Sequence, residues 1–218
     1  MPHPTKFIID FDSTFTQVEA LDILGEISLL NDPERDEKLK AIKDITDKGM
    51  EGNVTFRDSL IQRIDILKAT KSQITDLIAA LKLKVSKSFE RNKEFLQENA
   101  DNIYIVSNGF KDFIIPIVGD YGIHQDNVFA NEFVYDDADN PLSQNNGKAE
   151  TIKKINLEGE IYVIGDGYTD YEIKKSGLAN KFYAFTENVN RPKVTKEADH
   201  IAPSLDEILY VNNLNTKF

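Results

Sequence analysis

Apolar residues along this chain follow two rhythms. The first is short unbroken runs, many of them β-branched or aromatic, at residues 7–9, 102–106, 128–134, 161–164, 182–185 and 200–202. Runs of this kind, closed by polar or glycine-containing stretches, predict strands buried on both faces. The second is recurrence every three or four positions, the spacing of an amphipathic helix. Val18, Leu21, Ile23, Leu24 and Ile27 form the first such stripe. Asp32 and Pro33 predict the N-cap and first position of a charged surface helix running to residue 48, anchored by Leu39, Ile42 and Ile45. Residues 49–52 break it. A further helix over residues 55–68 aligns Phe56, Leu60, Ile64 and Leu67, and residues 72–83 continue in the same style. Helices are also predicted at residues 88–99, at 112–121 with a kink at Pro116, and at 148–155, 171–175 and 205–211. Residues 136–146 are polar and read as a hairpin or loop.

Strands alternating with helices predict an α/β fold with a doubly wound parallel sheet. No strand is predicted between residues 16 and 83, a stretch longer than any ordinary loop. It is expected to form a small helical cap inserted after the first strand, with a cap domain of residues 16–85 on a core domain of residues 1–15 and 86–218. A plain helical layer packed on the sheet edge is the alternative.

Composition narrows the function more than the fold. The chain has 218 residues, 40% hydrophobic and 29% charged, enough for a proper core under a polar surface. A net charge of −11 argues against nucleic acid and anionic membranes as partners. It leaves room for a small anionic substrate, because distant surface charge is screened. There is no cysteine, which excludes disulfides and thiolate chemistry. His3, His124 and His200 are scattered, with no zinc-ligand spacing. No apolar leader or membrane-length run is present, so a cytoplasmic location is expected.

Three of the predicted strands end in polar clusters. The first ends in FIIDFDSTFT, with Asp10 and Asp12 one residue apart. On a continuing strand both carboxylates would share a face, and like charges that close need compensation. A divalent cation supplies it, and hard oxygen ligands suit Mg²⁺. An acidic turn with Asp12 or Ser13 capping a helix is the plainer alternative. The second ends in Ser107 and Asn108, a hydroxyl and a backbone N–H able to hold a phosphate oxygen. The fourth ends in Asp166 and Asp170, and Lys148 stands at the start of its helix. In a doubly wound sheet these ends lie along one edge, where ligands bind.

Taken in order, DFDST at Asp10 to Thr14, the serine of SNGF at Ser107, Lys148, and GDGYTD at Gly165 to Asp170 resemble the haloacid dehalogenase superfamily of Mg²⁺-dependent phosphohydrolases. Glu19 after the first motif, Met50, the Phe56 to Arg63 spacing, and Phe129-Ala130-Asn131 resemble its phosphoserine phosphatase family, and the likeness covers almost the whole chain. The sequence departs from the family at Asn108, usually glycine, and at Thr169, usually asparagine. The resemblance implies that Asp10 is a nucleophile forming an aspartyl-phosphate and Asp12 a general acid and base. It implies that Mg²⁺ is held by the Asp10 side chain, the Asp12 carbonyl and Asp166, and that Asp170 binds a metal water or orients Lys148. Ser107, Asn108 and Lys148 would stabilise the phosphate. Glu19 would receive a substrate ammonium, Arg63 a carboxylate, Met50 and Phe56 would form an apolar wall, and Thr169 would adjoin the substrate. The favoured partner is phosphoserine. Another small phosphometabolite, phosphoryl transfer to an acceptor other than water, and a non-catalytic phosphate-binding relative are the other readings. The oligomeric state stays open between monomer and dimer.

Overall fold

The apolar runs pair edge to edge into one six-stranded sheet, in which every pair is parallel and the order is β3-β2-β1-β4-β5-β6. This is a computed structural model, and it describes residues 4–50, 54–132 and 147–214, the side chains of Met50, Phe56 and Arg57 aside. The strands are β1 (Lys6–Ile9), β2 (Ile103–Phe110), β3 (Val128–Asn131), β4 (Ile161–Gly165), β5 (Lys181–Phe185) and β6 (His200–Ala202). Successive side chains alternate between two cores, as the pleat requires. Phe7, Ile9, Ile103, Ile105, Tyr162, Ile164, Tyr183 and Phe185 join one cluster; Ile8, Val106, Ile161, Val163, Phe182 and Ala184 join the other. Both faces are therefore covered, and the runs lack polar positions for that reason.

Helices follow the strands as the periodicity requires, with instructive shifts at their ends. Between β1 and β2 lie α1 (Ala20–Ser28), α2 (Arg35–Met50), α3 (Phe56–Leu67), α4 (Lys71–Lys82), α5 (Lys87–Arg91) and α6 (Lys93–Glu98). The expected start of α2 at Pro33 is corrected to Arg35: the Arg35 N–H reaches the Asp32 carbonyl only three residues back, and the Lys38 N–H to the Glu34 carbonyl is the first four-residue bond, while Asp32 still accepts from the Glu34 N–H. That helix also runs through Gly49 to Met50, and Glu51 and Gly52 of the expected break lie outside the described residues. The single helix expected over 88–99 is two, broken at Asn92, whose amide donates to the Ser88 carbonyl and to Asp206. After β2 come α7 (Lys111–Val118), which contains Pro116 and tightens into a 3₁₀ turn, and α8 (Lys148–Ile155). The last three are α9 (Tyr168–Lys175), α10 (Pro192–Thr195) and α11 (Leu205–Val211). The strand expected over 128–134 is described only to Asn131, and the loop expected over 136–146 lies outside the described residues.

The first strand ends with its apolar run, so Asp10 and Asp12 do not share a face as they would on a continuing strand. The ladder stops at Ile9, and residues 11–15 form a wide turn in which the Phe15 and Thr16 N–H groups reach back to the carbonyls of Asp10 and Phe11. Ser13 takes a positive φ of 54° inside it. The turn is carried by buried aromatic rings. Phe15 packs against Phe89 at 5.0 Å, Tyr121 at 5.2 Å and Phe11 at 6.2 Å between ring centres. Thr16 and Val85 pair antiparallel, flanked by Gln17 N–H to Lys84 at 2.7 Å and Ser86 N–H to Phe15 at 2.9 Å. The four helices α1 to α4 lie between those two points. Phe15→Ala should therefore cost about 3–5 kcal/mol of stability, read by urea unfolding, against less than about 0.5 kcal/mol for a change at exposed Leu83.

Candidate active site

At the carboxyl ends of β1, β2 and β4 the sheet order reverses direction around β1, and the polar strand ends meet there. Asp10 directly follows β1 and is 6% exposed; its Oδ1 accepts from the Phe11 N–H at 2.7 Å. Lys148 opens α8 and is buried, its Nζ 2.6 Å from Asp10 Oδ1 and 2.7 Å from Asp170 Oδ1. Asp170 sits in the first turn of α9, where its Oδ2 also accepts from the Gly167 N–H at 3.1 Å. Asp166 follows β4, its Oδ1 3.2 Å from the Thr14 hydroxyl. Carboxylate oxygens of Asp10, Asp166 and Asp170 lie within 4.8 Å of one another, all three residues buried. Gly165 makes this packing possible, since a Cβ there would stand 2.3 Å from the Asp170 carboxyl.

Asp12 turns away from that cluster. Its Oδ1 accepts from the Ala20 N–H, the first of α1, at 2.7 Å. Its other oxygen faces Gly109, where an added Cβ would come within 3.3 Å of it and 3.2 Å of Ser107 Oγ. Ser107 in turn accepts from the Gly109 N–H at 2.9 Å. Glu19 accepts from the Ser13 hydroxyl at 2.6 Å. The carbonyl of Asn108 accepts from the Asn131 amide at 2.8 Å. Asp10, Asp12, Glu19, Arg63, Ser107, Asn108, Lys148 and Thr169 surround one small cavity of about 20 Å³ with Leu21 and Gly109. That volume holds about one water. Met50 ends α2 and Phe56 opens α3, but the wall expected from their side chains lies outside the described part.

Negative charge is in excess here. Burial pushes the Asp10 carboxyl up to about 7, with Asp170 adding to the rise and Lys148 opposing it. Burial and then the Glu19 charge hold Asp12 well above the usual carboxylate range. Burial and then Asp166 push Glu19 up to about 7. Asp166 and Asp170 are raised by burial as well. Lys148 is pulled down by burial, yet Asp10 and Asp170 together hold it above its ordinary value. The ammonium stays charged while its carboxylate partners stay under-compensated, because one cation serves two of them. The chemistry of this donor set fits a hard divalent cation.

One cation at the site was not expected from the sequence. Arg191, just before α10, donates from Nε to Asp166 Oδ2 at 2.9 Å and brings a terminal nitrogen within 3.6 Å of Glu19. On the same loop, the amide of Asn188 donates to the carbonyls of Ser13 and Thr16 at 3.1 and 3.2 Å and to the Ser86 hydroxyl at 2.7 Å. Both follow β5, and the strand-end rule extended to that strand would have marked them.

No protein-family model matches the sequence. A phosphoserine phosphatase of Drosophila melanogaster is 32% identical over 212 residues, spanning 92% of this chain and 75% of that protein. The chain belongs to the phosphoserine phosphatase family. Its members are hydrolases of the haloacid dehalogenase type. The human phosphoserine phosphatase is 28% identical over 92% of this chain and 89% of its own. Among solved structures, a phosphoserine phosphohydrolase-like protein from Francisella tularensis superposes with a TM-score of 0.82 at 31% identity, over 95% of this chain and 99% of that one. Among the described residues, no helix is long and apolar enough to cross a membrane.

Two outcomes follow from this packing. Gly165→Ala must drive Asp170 off Lys148, so it should lower the melting temperature and cut phosphatase activity at least about tenfold, since misplacing catalytic groups by about 1 Å costs about a hundredfold. For the chain freed of metal, the folded state keeps protons on Asp10 and Glu19 that the unfolded chain releases near pH 4. Stability should then fall as pH rises from about 4 to about 7, by about 1.4 kcal/mol per pH unit for each group. Urea titrations across that range should show a shallower fall for Asp10→Asn.

Proposed function

We propose that this chain is a Mg²⁺-dependent phosphoserine phosphatase acting through an aspartyl-phosphate on Asp10. The observation that carries the reading is the division of labour between two carboxyls at one cavity. Asp10 lies beside Lys148 and the acidic cluster, whereas Asp12 is held off by the Ala20 N–H with its second oxygen on the Ser107 side. Burial and Glu19 favour the protonated form of Asp12, the form a general acid needs.

In this reading Asp10 attacks phosphorus and the serine alkoxide leaves with a proton from Asp12. Asp12 then takes a proton from water, which attacks the aspartyl-phosphate at phosphorus, releasing phosphate and restoring Asp10. Ser107, the Asn108 amide and Lys148 hold the phosphoryl oxygens as charge shifts between them. Asp170 orients Lys148, with which it forms a 2.7 Å ion pair. Mg²⁺, held by Asp10, the Asp12 carbonyl and Asp166, would neutralise the charge between nucleophile and phosphate. Arg63 and Glu19 bracket the carboxylate and ammonium of the amino acid, with Thr169 alongside. Residues 16–85 serve as the cap domain. A cavity of about 20 Å³ is too small for a phosphoamino acid, so the substrate is admitted when the wall carried by the cap moves aside.

The test is phosphate release from phosphoserine and from p-nitrophenyl phosphate, with and without Mg²⁺. Asp10→Asn should abolish both activities while the protein still folds. Arg63→Ala should lower phosphoserine turnover roughly tenfold to a hundredfold, the loss of a contact to a charged group, and leave p-nitrophenyl phosphate nearly unchanged. Residual activity in Asp10→Asn would sink the aspartyl-phosphate. Equal losses on both substrates in Arg63→Ala would sink the phosphoserine assignment.

A further inference from the structure

Arg63 reaches the cavity from α3, and the groups that hold its guanidinium lie behind it. Its Nε donates to the Ser59 carbonyl one turn back at 3.3 Å, and Nη1 donates to the hydroxyl of Thr46 on α2, also at 3.3 Å. Thr46 is 2% exposed. Its hydroxyl lies 3.1 Å from Asp22 Oδ1 on α1 and 3.0 Å from the Ile42 carbonyl. A hydroxyl has one proton and two lone pairs, so whichever acceptor takes the proton, a lone pair remains for Arg63. The spacing between the two helices is set nearby. The Ser59 hydroxyl donates to the Ile45 carbonyl at 3.2 Å, and Gly49 leaves the room that a Cβ, 2.8 Å from Ser59 Oγ, would take. Asp22 also places a negative charge in range of the guanidinium. Neither Thr46 nor Asp22 is among the residues lining the cavity; Arg63 is.

We propose that Thr46, itself held by Asp22, is a positioning residue that presents the Arg63 guanidinium to the substrate carboxylate. Three successive helices thereby contribute one residue each to a single specificity element, with only the last of them exposed to the ligand. A long arginine side chain held on two of its nitrogens keeps its planar fork in one orientation, which bidentate recognition of a carboxylate requires. The proposal rests on the reading of Arg63 given above.

The experiment compares Thr46→Val, Thr46→Ser, Arg63→Ala and the Thr46→Val/Arg63→Ala double variant, each with a melting curve, by kcat and KM for phosphoserine and p-nitrophenyl phosphate. Thr46→Val should raise the KM for phosphoserine about tenfold, the lower end of the range for one hydrogen bond to a charged group because the guanidinium itself remains, and leave p-nitrophenyl phosphate within about twofold. Thr46→Ser should restore wild-type behaviour. The double variant should be no worse than Arg63→Ala alone, because the hydroxyl acts through the guanidinium. A loss shared by both substrates, or one that Thr46→Ser does not restore, would overturn the proposal. Should Thr46→Val fail to fold, Thr46→Ala makes the same comparison, and failure of both would assign Thr46 to the fold alone. If Arg63→Ala is selective and Thr46→Val is not, the positioning role falls and the phosphoserine reading stands. If Arg63→Ala treats both substrates alike, the reading falls and the positioning role falls with it.

Discussion

The buried ion group of Lys148 with Asp10 and Asp170 is the constraint on which the other arrangements depend. An ammonium 3% exposed, sandwiched at 2.6 and 2.7 Å, ties the end of β1 to the starts of α8 and α9. Such a group is weak as a source of stability, since desolvation offsets most of its attraction. What it does is fix positions. Gly165 has to lack a side chain because Asp170 must fill that space, and Asp166, one residue on, is then held near Asp10. Arg191 closes the same arrangement from the opposite side, bound to Asp166 and near Glu19. The protein has accepted a surplus of buried acid at this edge, and the surplus is what makes the edge receptive to a cation.

The parts legible in the sequence were those with a strong local cause. The central apolar runs became strands because a sheet covered on both faces leaves them few polar positions to blur the signal. Asp10, Ser107 and Asp166 could be brought together because strand ends in a parallel sheet share an edge. The course of the chain after Ile9 was harder to read. A polar alternation across Asp10 and Asp12 looks like a strand continuing, whereas the turn is decided by tertiary groups: Asn188 bound to the Ser13 and Thr16 carbonyls, and the rings around Phe15. Those partners come from more than a hundred and seventy residues away in the first case, so no local window contains them. The break at Asn92 is of another kind, a polar side chain bonding to backbone where periodicity alone predicts an unbroken helix. Arg191 escaped because the fifth strand was read for its apolar run and not for the residues after it.

The cations near the cavity come from different elements of the fold. Lys148 and Arg191 are paired with carboxylates directly. On α3, Arg63 is buried and donates to the Thr46 hydroxyl and the Ser59 carbonyl, and burial lowers its pKa against the pull of Glu19, Asp12 and Asp22.

The paired residues Thr16 and Val85 bring the two ends of the helical segment side by side. The bridge closes a loop of four helices, and the length of such a loop adds little to the entropy of closing it. That pairing is not the segment's sole attachment: α4 packs on α7, Lys82 pairs with Asp120 at 2.7 Å, and buried residues of the four helices share one apolar cluster with the sheet. A change in those helices is therefore felt by the sheet as well as by the cavity, which Leu21 and Arg63 help to line.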